Sequence, residues 1–411
     1  MLEQPSFGRR LRKLRTERGL AQAALAGDGM STGYLSRLES GARQPTERAV
    51  TYLAARLGIN PADFEESGAA SLAQSLTIAA SLDSDDTGEL LAEALKSAQE
   101  QDPLLRWQSL WLLAQWKRRR SEHAEERAHL DELVALGDEI GLPELRARGL
   151  TQLARSMRAS GEITSAIEAA GTAHRLARDS RLSRQDTATA LLVLVSVEAE
   201  AGRLPEARRH ADELTGLVAG RSDALWAEAM WTAAAVRVRQ GEFAPAQGLL
   251  EQALDRFDSR ENLTLWLRLR VAAARLHLQK FPPEPGIAQR YVDAAEAGFP
   301  FAGTPALGQE LTALGAELAF LEGRVGDSRA LLDRLACSDL RMTYRDRVRL
   351  DILDCRLHIV EGDEEEGLSG LQKLAVEAQE TGSIDLAADI WRLTAESLVQ
   401  ARGKSRDPGA A

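Results

Sequence analysis

Cysteine, aromatic residues and long apolar runs are all scarce in this chain of 411 residues. Only two cysteines occur, Cys337 and Cys355, and neither stands in a CxxC motif or in a Cys/His spacing that binds a metal. We therefore expect both to be reduced core residues. Phe, Tyr and Trp together make up 5% of the chain, while Ala, Leu, Arg and Glu dominate, which favours an all-α protein.

Several functional classes are excluded by what is missing. No apolar run is long enough to span a bilayer, and no apolar stretch of a signal peptide follows the charged N-terminus. We therefore expect a cytoplasmic protein with no membrane partner. The catalytic motifs GxxxxGK, HExxH and GxSxG and the glycine-rich dinucleotide turn are also missing. We expect no enzymatic activity, no metal and no cofactor.

Charge is distributed unevenly along the sequence. Residues 1–60 carry ten Lys or Arg and five Asp or Glu, a net charge of +5, whereas the whole chain carries −11. The remaining residues therefore have a net charge of −16. A basic head on an acidic body suits a protein that presents only its head to phosphate groups, because the body repels nucleic acid.

The densest pattern in the head, residues 1–64, is GYLSRLESGARQP. Ser31 is a good N-cap for a short helix, and Leu35 and Leu38 predict its inward side. A helix of this kind suits a DNA major groove, because its outward positions are small or hydrogen-bonding. These outward residues are Thr32, Gly33, Ser36 and Arg37.

LSRLESGARQP, followed by a helix and by LGINPADF, resembles the Xre/Cro/lambda-repressor helix-turn-helix family over about residues 7–64. The resemblance implies a five-helix domain that binds an operator in double-stranded DNA. It implies phosphate or base contacts at seven positions, of which Thr32, Gly33 and Ser36 face bases. The full set is Gln22, Thr32, Gly33, Tyr34, Ser36, Arg37 and Arg43.

The head departs from the family pattern in its second and third helices. Ala21 and Ala24 replace the usual cap and its glutamate partner, which costs about 1 kcal/mol. Gly33 removes a side chain that could contact a base, so we expect modest direct readout. Glu39 is expected to be a structural partner for arginines of the first helix. The alternative is a degenerate cassette that now binds protein.

The body repeats one feature at nearly constant spacing, a glycine that ends one helix before the next begins. The intervals between these glycines are 41, 39, 82 and 39 residues, and a missing boundary near Lys280 divides the long one. A period of about 40 residues with two helices per unit predicts an α-solenoid. The glycines are Gly161, Gly202, Gly241, Gly323 and Gly362.

The helix that follows each glycine resembles the second helix of a tetratricopeptide repeat, as Gly241, Ala246, Leu250 and Ala253 illustrate. The resemblance implies stacked helix pairs with a concave face. We predict a linker and first helix over residues 65–82, the repeat domain over 83–402 and a disordered tail over 403–411.

Two segments interrupt the repeat pattern. FPPEPG, residues 281–286, places prolines where the repeat glycine is expected, and GFPFAGTP, residues 298–305, predicts a long turn. Together they indicate an irregular unit, which is either a hinge or pocket wall or a tolerated loop insertion.

One row of side chains in the body suggests a ligand site. Asn262, Trp266 and Arg270 are four residues apart on one helix face, and His277 extends the row. Such a row could hold a peptide or a small acid. Peptide-pheromone receptors of Gram-positive bacteria combine a similar head and repeats, but they clasp the peptide backbone with several asparagines. This chain has only two asparagines, which disfavours a pheromone peptide.

These observations predict a sequence-specific DNA-binding transcriptional regulator. Its tetratricopeptide-like body is expected to form a homodimer, since one head reads only one half-site. The body is also expected to bind an effector, which is a peptide, a small molecule or a protein. Two alternatives stay open, a protein-interaction scaffold with a degenerate head and an antitoxin-like repressor.

Overall fold

The computed structural model describes residues 4, 6–64, 72–81, 85–97, 102–120, 122–340 and 342–406, and this part of the chain is all-α, as predicted. It contains 21 α-helices and two short 3₁₀ turns. The chain divides into two compact units, residues 1–120 and 121–411. Within the described ranges, no helix is long and apolar enough to cross a membrane.

The first unit contains the predicted head, whose fifth helical segment is a 3₁₀ turn at Pro61–Phe64, and three further helices. A second 3₁₀ turn, Gly27–Gly29, separates the second and third helices of the head. The helices of this unit are α1 (Ser6–Glu17), α2 (Gln22–Ala26), α3 (Thr32–Glu39), α4 (Glu47–Leu57), α5 (Leu72–Ser81), α6 (Asp85–Ser97) and α7 (Pro103–Arg119).

The core of the head is formed by apolar residues at helical spacing, including the predicted Leu35 and Leu38. Leu11, Leu35 and Leu53 are completely buried. Phe64, at the end of the last 3₁₀ turn, packs against Phe7 of α1 with ring centroids 5.1 Å apart. The two ends of the head are therefore joined through one aromatic pair.

Gly8 allows α1 to approach the end of α3 closely. A Cβ atom at this position would lie 2.3 Å from the carbonyl oxygen of Leu38 and 2.9 Å from that of Glu39. Both are backbone atoms, so a larger side chain could be accommodated only if the helices moved apart. The side-chain amide of Gln4 bridges the same region, since it donates to the carbonyls of Leu38 (3.1 Å) and Arg43 (2.7 Å).

The second unit is a continuous stack of helices joined by short turns. Its helices are α8 (His123–Ile140), α9 (Pro143–Ala159), α10 (Ile163–Asp179), α11 (Arg184–Glu200), α12 (Leu204–Leu217), α13 (Ala224–Arg239), α14 (Phe243–Arg256), α15 (Leu263–Gln279), α16 (Pro285–Ala302), α17 (Pro305–Leu321), α18 (Val325–Ala336), α19 (Tyr344–Glu361), α20 (Glu364–Glu380) and α21 (Ile384–Arg406). Residues 407–411 of the predicted tail lie outside the described residues.

The predicted repeat boundaries are confirmed by backbone geometry. All five repeat glycines have positive φ and lie between the two helices of a pair, from α9/α10 to α19/α20. Only glycine adopts this conformation without strain, which is why it recurs at the turns. The boundary without a glycine falls between α15 and α16, near Lys280 as predicted.

Two expectations from the sequence are wrong. Residues 298–305 do not form a long turn, because α16 continues through Pro300 to Ala302 and α17 begins at Pro305. The hydroxyl of Thr304 accepts from the amide of Leu307 (3.2 Å) and caps α17 immediately, so only two residues are needed between the helices. Cys337 is not a core residue, since it is exposed at the end of α18.

The first helices of the pairs lie side by side and form one face of the second unit, which we call the inner face. Consecutive contacts join α9, α11, α13, α15, α17, α19 and α21. Side chains also reach beyond the nearest neighbour, since Arg275 of α15 binds Asp346 of α19 across α17. The stack is therefore strongly curved, with the first helices on its concave side.

An ion pair between α13 and α21 joins positions 146 residues apart. The Nε and Nη2 atoms of Arg239 donate to the two carboxylate oxygens of Asp385, at 2.9 and 2.8 Å. Arg345 of α19 donates to the same carboxylate at 2.6 Å. Burial opposes the charge of Asp385, but the bonds from Arg239 and the charge of Arg345 outweigh it and lower its pKa to about 2.

We predict that Asp385→Asn destabilises the body by about 3 kcal/mol, because it leaves two largely buried guanidinium groups without their carboxylate. Since the folded pKa lies below the ordinary value of 3.8, this stabilisation is complete above pH 3.8 and disappears as the pH falls towards 2. Urea unfolding followed by circular dichroism at pH 7 measures the effect. Asp389→Asn, on the same helix but 64% exposed, is the control and should change stability little.

Candidate DNA interface

The outward face of α3 carries the predicted base-facing residues. Ser31 caps the helix as predicted, and its hydroxyl accepts from the amide of Tyr34 at 3.2 Å. Leu35 and Leu38 point into the core. Thr32, Gly33, Ser36 and Arg37 are all exposed.

Gly33 leaves open space on this face. A Cβ atom there would meet no other atom within 4 Å, and the backbone is not in the left-handed region. Packing within the head therefore does not require glycine at this position. A flat position of this kind allows a close approach to another molecule on the exposed face of α3.

The loop after α3 returns to the same face. The amide of Arg43 donates to the carbonyl of Arg37 at 3.2 Å. The guanidinium of Arg43 lies over the ring of Tyr34, 4.9 Å from its centroid. Tyr34, Arg37 and Arg43 are thus brought together beside the exposed positions of α3, and two of the three carry a positive charge.

The opposite side of α3 is held by one buried carboxylate. Glu39 is only 7% exposed and accepts two bonds from Arg15 of α1, at 2.6 and 3.0 Å. This pairing was predicted. Burial disfavours the charge of Glu39, yet the bonds from Arg15 and Gln22 more than compensate and lower its pKa.

Gln22 has a structural contact in addition to its predicted role. Its side-chain nitrogen donates to Glu39 at 2.7 Å, so α1, α2 and α3 meet at a single carboxylate. The side chain is half-buried. Its contact with a DNA phosphate stays a prediction.

The second helix is stabilised by residues that sequence reasoning missed. Ala21 provides no side-chain cap, as predicted. Instead, the hydroxyl of Tyr52 donates to the carbonyl of Ala26 (2.8 Å) and accepts from the amide of Gly29 (3.1 Å). Arg56 donates to another carbonyl of α2. Both side chains are on α4, and no local pattern links them to α2.

The predicted ligand row on α15 contains one close pair. The guanidinium of Arg270 lies 3.1 Å from the centroid of the Trp266 ring, and it also donates to the carbonyl of Trp266 at 3.1 Å. Burial lowers the pKa of Arg270 to about 10. The aromatic plane and the guanidinium are therefore packed against each other.

The other two members of the row have structural contacts. Asn262 caps α15, since its side-chain oxygen accepts from the amide of Leu265 at 3.0 Å. His277 is only 3% exposed; its Nδ1 lies 2.7 Å from a carboxylate oxygen of Glu284, and its ring stacks on Tyr291 at 5.8 Å. Ligand binding by the row stays a prediction.

Residues 6–66 match the family described as helix-turn-helix domain. The head is a helix-turn-helix domain. The match covers the head alone, and no curated protein matches the chain in sequence.

Solved structures resemble the chain over nearly its whole length. A Rap protein complexed with Competence and Sporulation Factor superposes with a TM-score of 0.53 at 11% identity, covering 97% of this chain and 100% of that one. The apo form of the quorum sensor NprR from B. thuringiensis gives a TM-score of 0.50 at 13% identity, covering 95% and 97%. At these identities the likeness shows the fold, a tetratricopeptide-like helical solenoid.

We predict that Glu39→Gln destabilises the head by about 3 kcal/mol, because Arg15 loses its buried counter-charge. The folded pKa of Glu39 is lowered, so its stabilisation is fully present above the unfolded pKa, weakens below it and is lost as the pH falls through the folded pKa. Hydrogen exchange of the α3 amides in the full chain should accelerate strongly at pH 7 and less at pH 4. Glu47→Gln, at an exposed position of α4, is the matched control; equal exchange in both variants would contradict the role of Glu39.

Proposed function

We propose that the chain is a cytoplasmic, sequence-specific DNA-binding transcriptional regulator that contacts its operator through α3. The observation that carries the proposal is the two-sided character of this helix. One side is fixed by Leu35, Leu38 and Glu39, which are all buried, while the other side is exposed. A polar, exposed helix face held by a rigid core is what insertion into a major groove requires.

The exposed residues of α3 are suited to different contacts with the bases of DNA. Arg37 can donate two hydrogen bonds to the O6 and N7 atoms of a guanine, while Thr32 and Ser36 can contact any base edge or a thymine methyl group. Gly33 contributes no contact of its own and lets the backbone approach the bases. Readout would therefore depend mainly on Arg37.

Affinity would come from phosphate contacts beside this helix. Arg43 lies over the ring of Tyr34, in the first turn of α3, and Gln22 lies at the start of α2. The net charge of +5 over residues 1–60 favours approach to DNA, and each phosphate contact adds to the salt dependence of binding.

The body would supply dimerisation and control. One head reads only a half-site, and two heads one helical turn apart bind far more tightly, so we infer a homodimer that binds an inverted repeat. The Rap structure contains Competence and Sporulation Factor, and NprR is described as a quorum sensor. Their fold supports an effector on the inner face of this chain, with a peptide, a small molecule or a protein as candidates. Such a ligand would need different affinities for two states of the dimer.

We predict that Arg37→Ala weakens operator binding about tenfold to a hundredfold, since one bidentate base contact contributes about 1–3 kcal/mol. The measurement is a footprint on the DNA upstream of the chain's own gene, with affinities taken over a range of salt concentrations. Lys13→Ala, at an exposed position of α1, removes the same charge and should weaken binding only slightly. Binding that is weak, unselective and abolished by salt would contradict the proposal and favour a protein-interaction scaffold.

A further inference from the structure

The inner face contains a cavity of about 150 Å³ between α15, α17, α19 and α21. It is distinct from the row on α15 that the sequence suggested. Phe281 and Pro283, from the irregular proline segment, form part of its wall. Much of the remaining lining is apolar, with Leu314, Met342 and Leu353 among its residues.

Three of the four arginines that line this cavity have a carboxylate partner, and one of them, Arg392, donates to Glu396 at 2.7 Å. Arg275 binds Asp346, and Arg349 donates to the same carboxylate at 3.0 Å. One carboxylate therefore serves two guanidinium groups. The bonds hold Asp346 in place beside the cavity, and they leave it unable to neutralise a third positive charge.

Arg356 is the fourth arginine of the cavity, and it differs from the other three. Its guanidinium packs over the ring of Phe320, 4.4 Å from the centroid. Among the described residues, no carboxylate lies within salt-bridge distance of it. Burial lowers the pKa of Arg356, and the charges of Glu317 and Glu396 oppose this shift without reversing it.

Glu317 of α17 also lines this cavity. Its charge acts on Arg275, Arg349 and Arg356. Among the described residues, however, none of these guanidinium groups lies within salt-bridge distance of it. The cavity thus holds an unpaired cation and an unpaired anion at its polar side. A ligand anion placed beside Arg356 would be attracted by that group and repelled by Glu317.

We propose that this cavity binds a small organic acid, with its carboxylate on Arg356 and its apolar body against Leu314, Met342 and Leu353. A cavity of this size accommodates a single six-membered ring, so an aromatic or short-chain acid fits and an extended peptide does not. A carboxylate and a guanidinium form two parallel hydrogen bonds when they meet in plane. The role of this cavity as an effector site rests on the regulatory function proposed above. Binding of the acid itself can be measured without DNA.

Isothermal titration calorimetry of the full chain with benzoate and with hexanoate tests the proposal. We expect saturable binding of at least one acid, and at least tenfold weaker binding of benzyl alcohol, which has no charge. Arg356→Gln should weaken acid binding at least tenfold. Arg347→Gln, at an exposed position of the same helix, should leave it unchanged.

Glu317→Gln provides an independent test, because it should strengthen acid binding several-fold by removing a nearby negative charge. A residue that only supported the fold would not produce a gain in affinity. The proposal is overturned if neither acid binds saturably, if Arg356→Gln binds as well as the wild type, or if Glu317→Gln weakens binding. Acid binding by a chain that shows no selective footprint would support the ligand site and contradict the regulatory function. A selective footprint from a chain that binds neither acid would support the regulatory function and contradict the ligand site.

Discussion

Close approach between helix backbones is the constraint on which both units depend. In the head, α1 reaches α3 at Gly8, where any Cβ atom would meet carbonyl oxygens. In the body, Gly367 of α20 meets the carbonyl of Cys355 of α19 in the same way. Alanines such as Ala170 and Ala173 are completely buried at the crossings of other pairs. Small residues at these points let helices pack at short distances and give the stack its regular repeat.

Charged contacts on the inner face add to this close packing. Arginines extend across the curved face to carboxylates on distant helices. Arg239 and Arg345 both bind Asp385, and Arg275 binds Asp346. Buried pairs of this kind stabilise only when both partners are present. Asp346, which binds Arg275 and Arg349, lines the same cavity as Arg356, the arginine for which we propose a ligand.

Much of the fold could be predicted from local patterns. The cap of α3 at Ser31 matches the prediction, and so does the position of each repeat glycine. These features depend on caps, turns and periodicity, which are encoded within a few residues. The predicted turn near Pro300 failed because a helix can include a proline in its last turn when the chain is capped immediately afterwards.

The parts that could not be predicted are contacts between distant segments. The bond between Gln22 and Glu39, the support of α2 by Tyr52 and the ion pair between Arg239 and Asp385 have no signature in sequence spacing. The exposed face of α3 was predictable because it depends on one helix and its cap. The cavity was not, because its walls come from four helices that only the curvature brings together.

The most direct test of the central claim is selection of binding sites by the full chain from a library of random DNA. If α3 reads bases in a homodimer, the wild type should enrich an inverted repeat with half-sites about one helical turn apart. Arg37→Ala should enrich the same repeat with one position of each half-site no longer specified. If the wild type enriches no sequence over a control without protein, α3 does not read DNA and the account is contradicted.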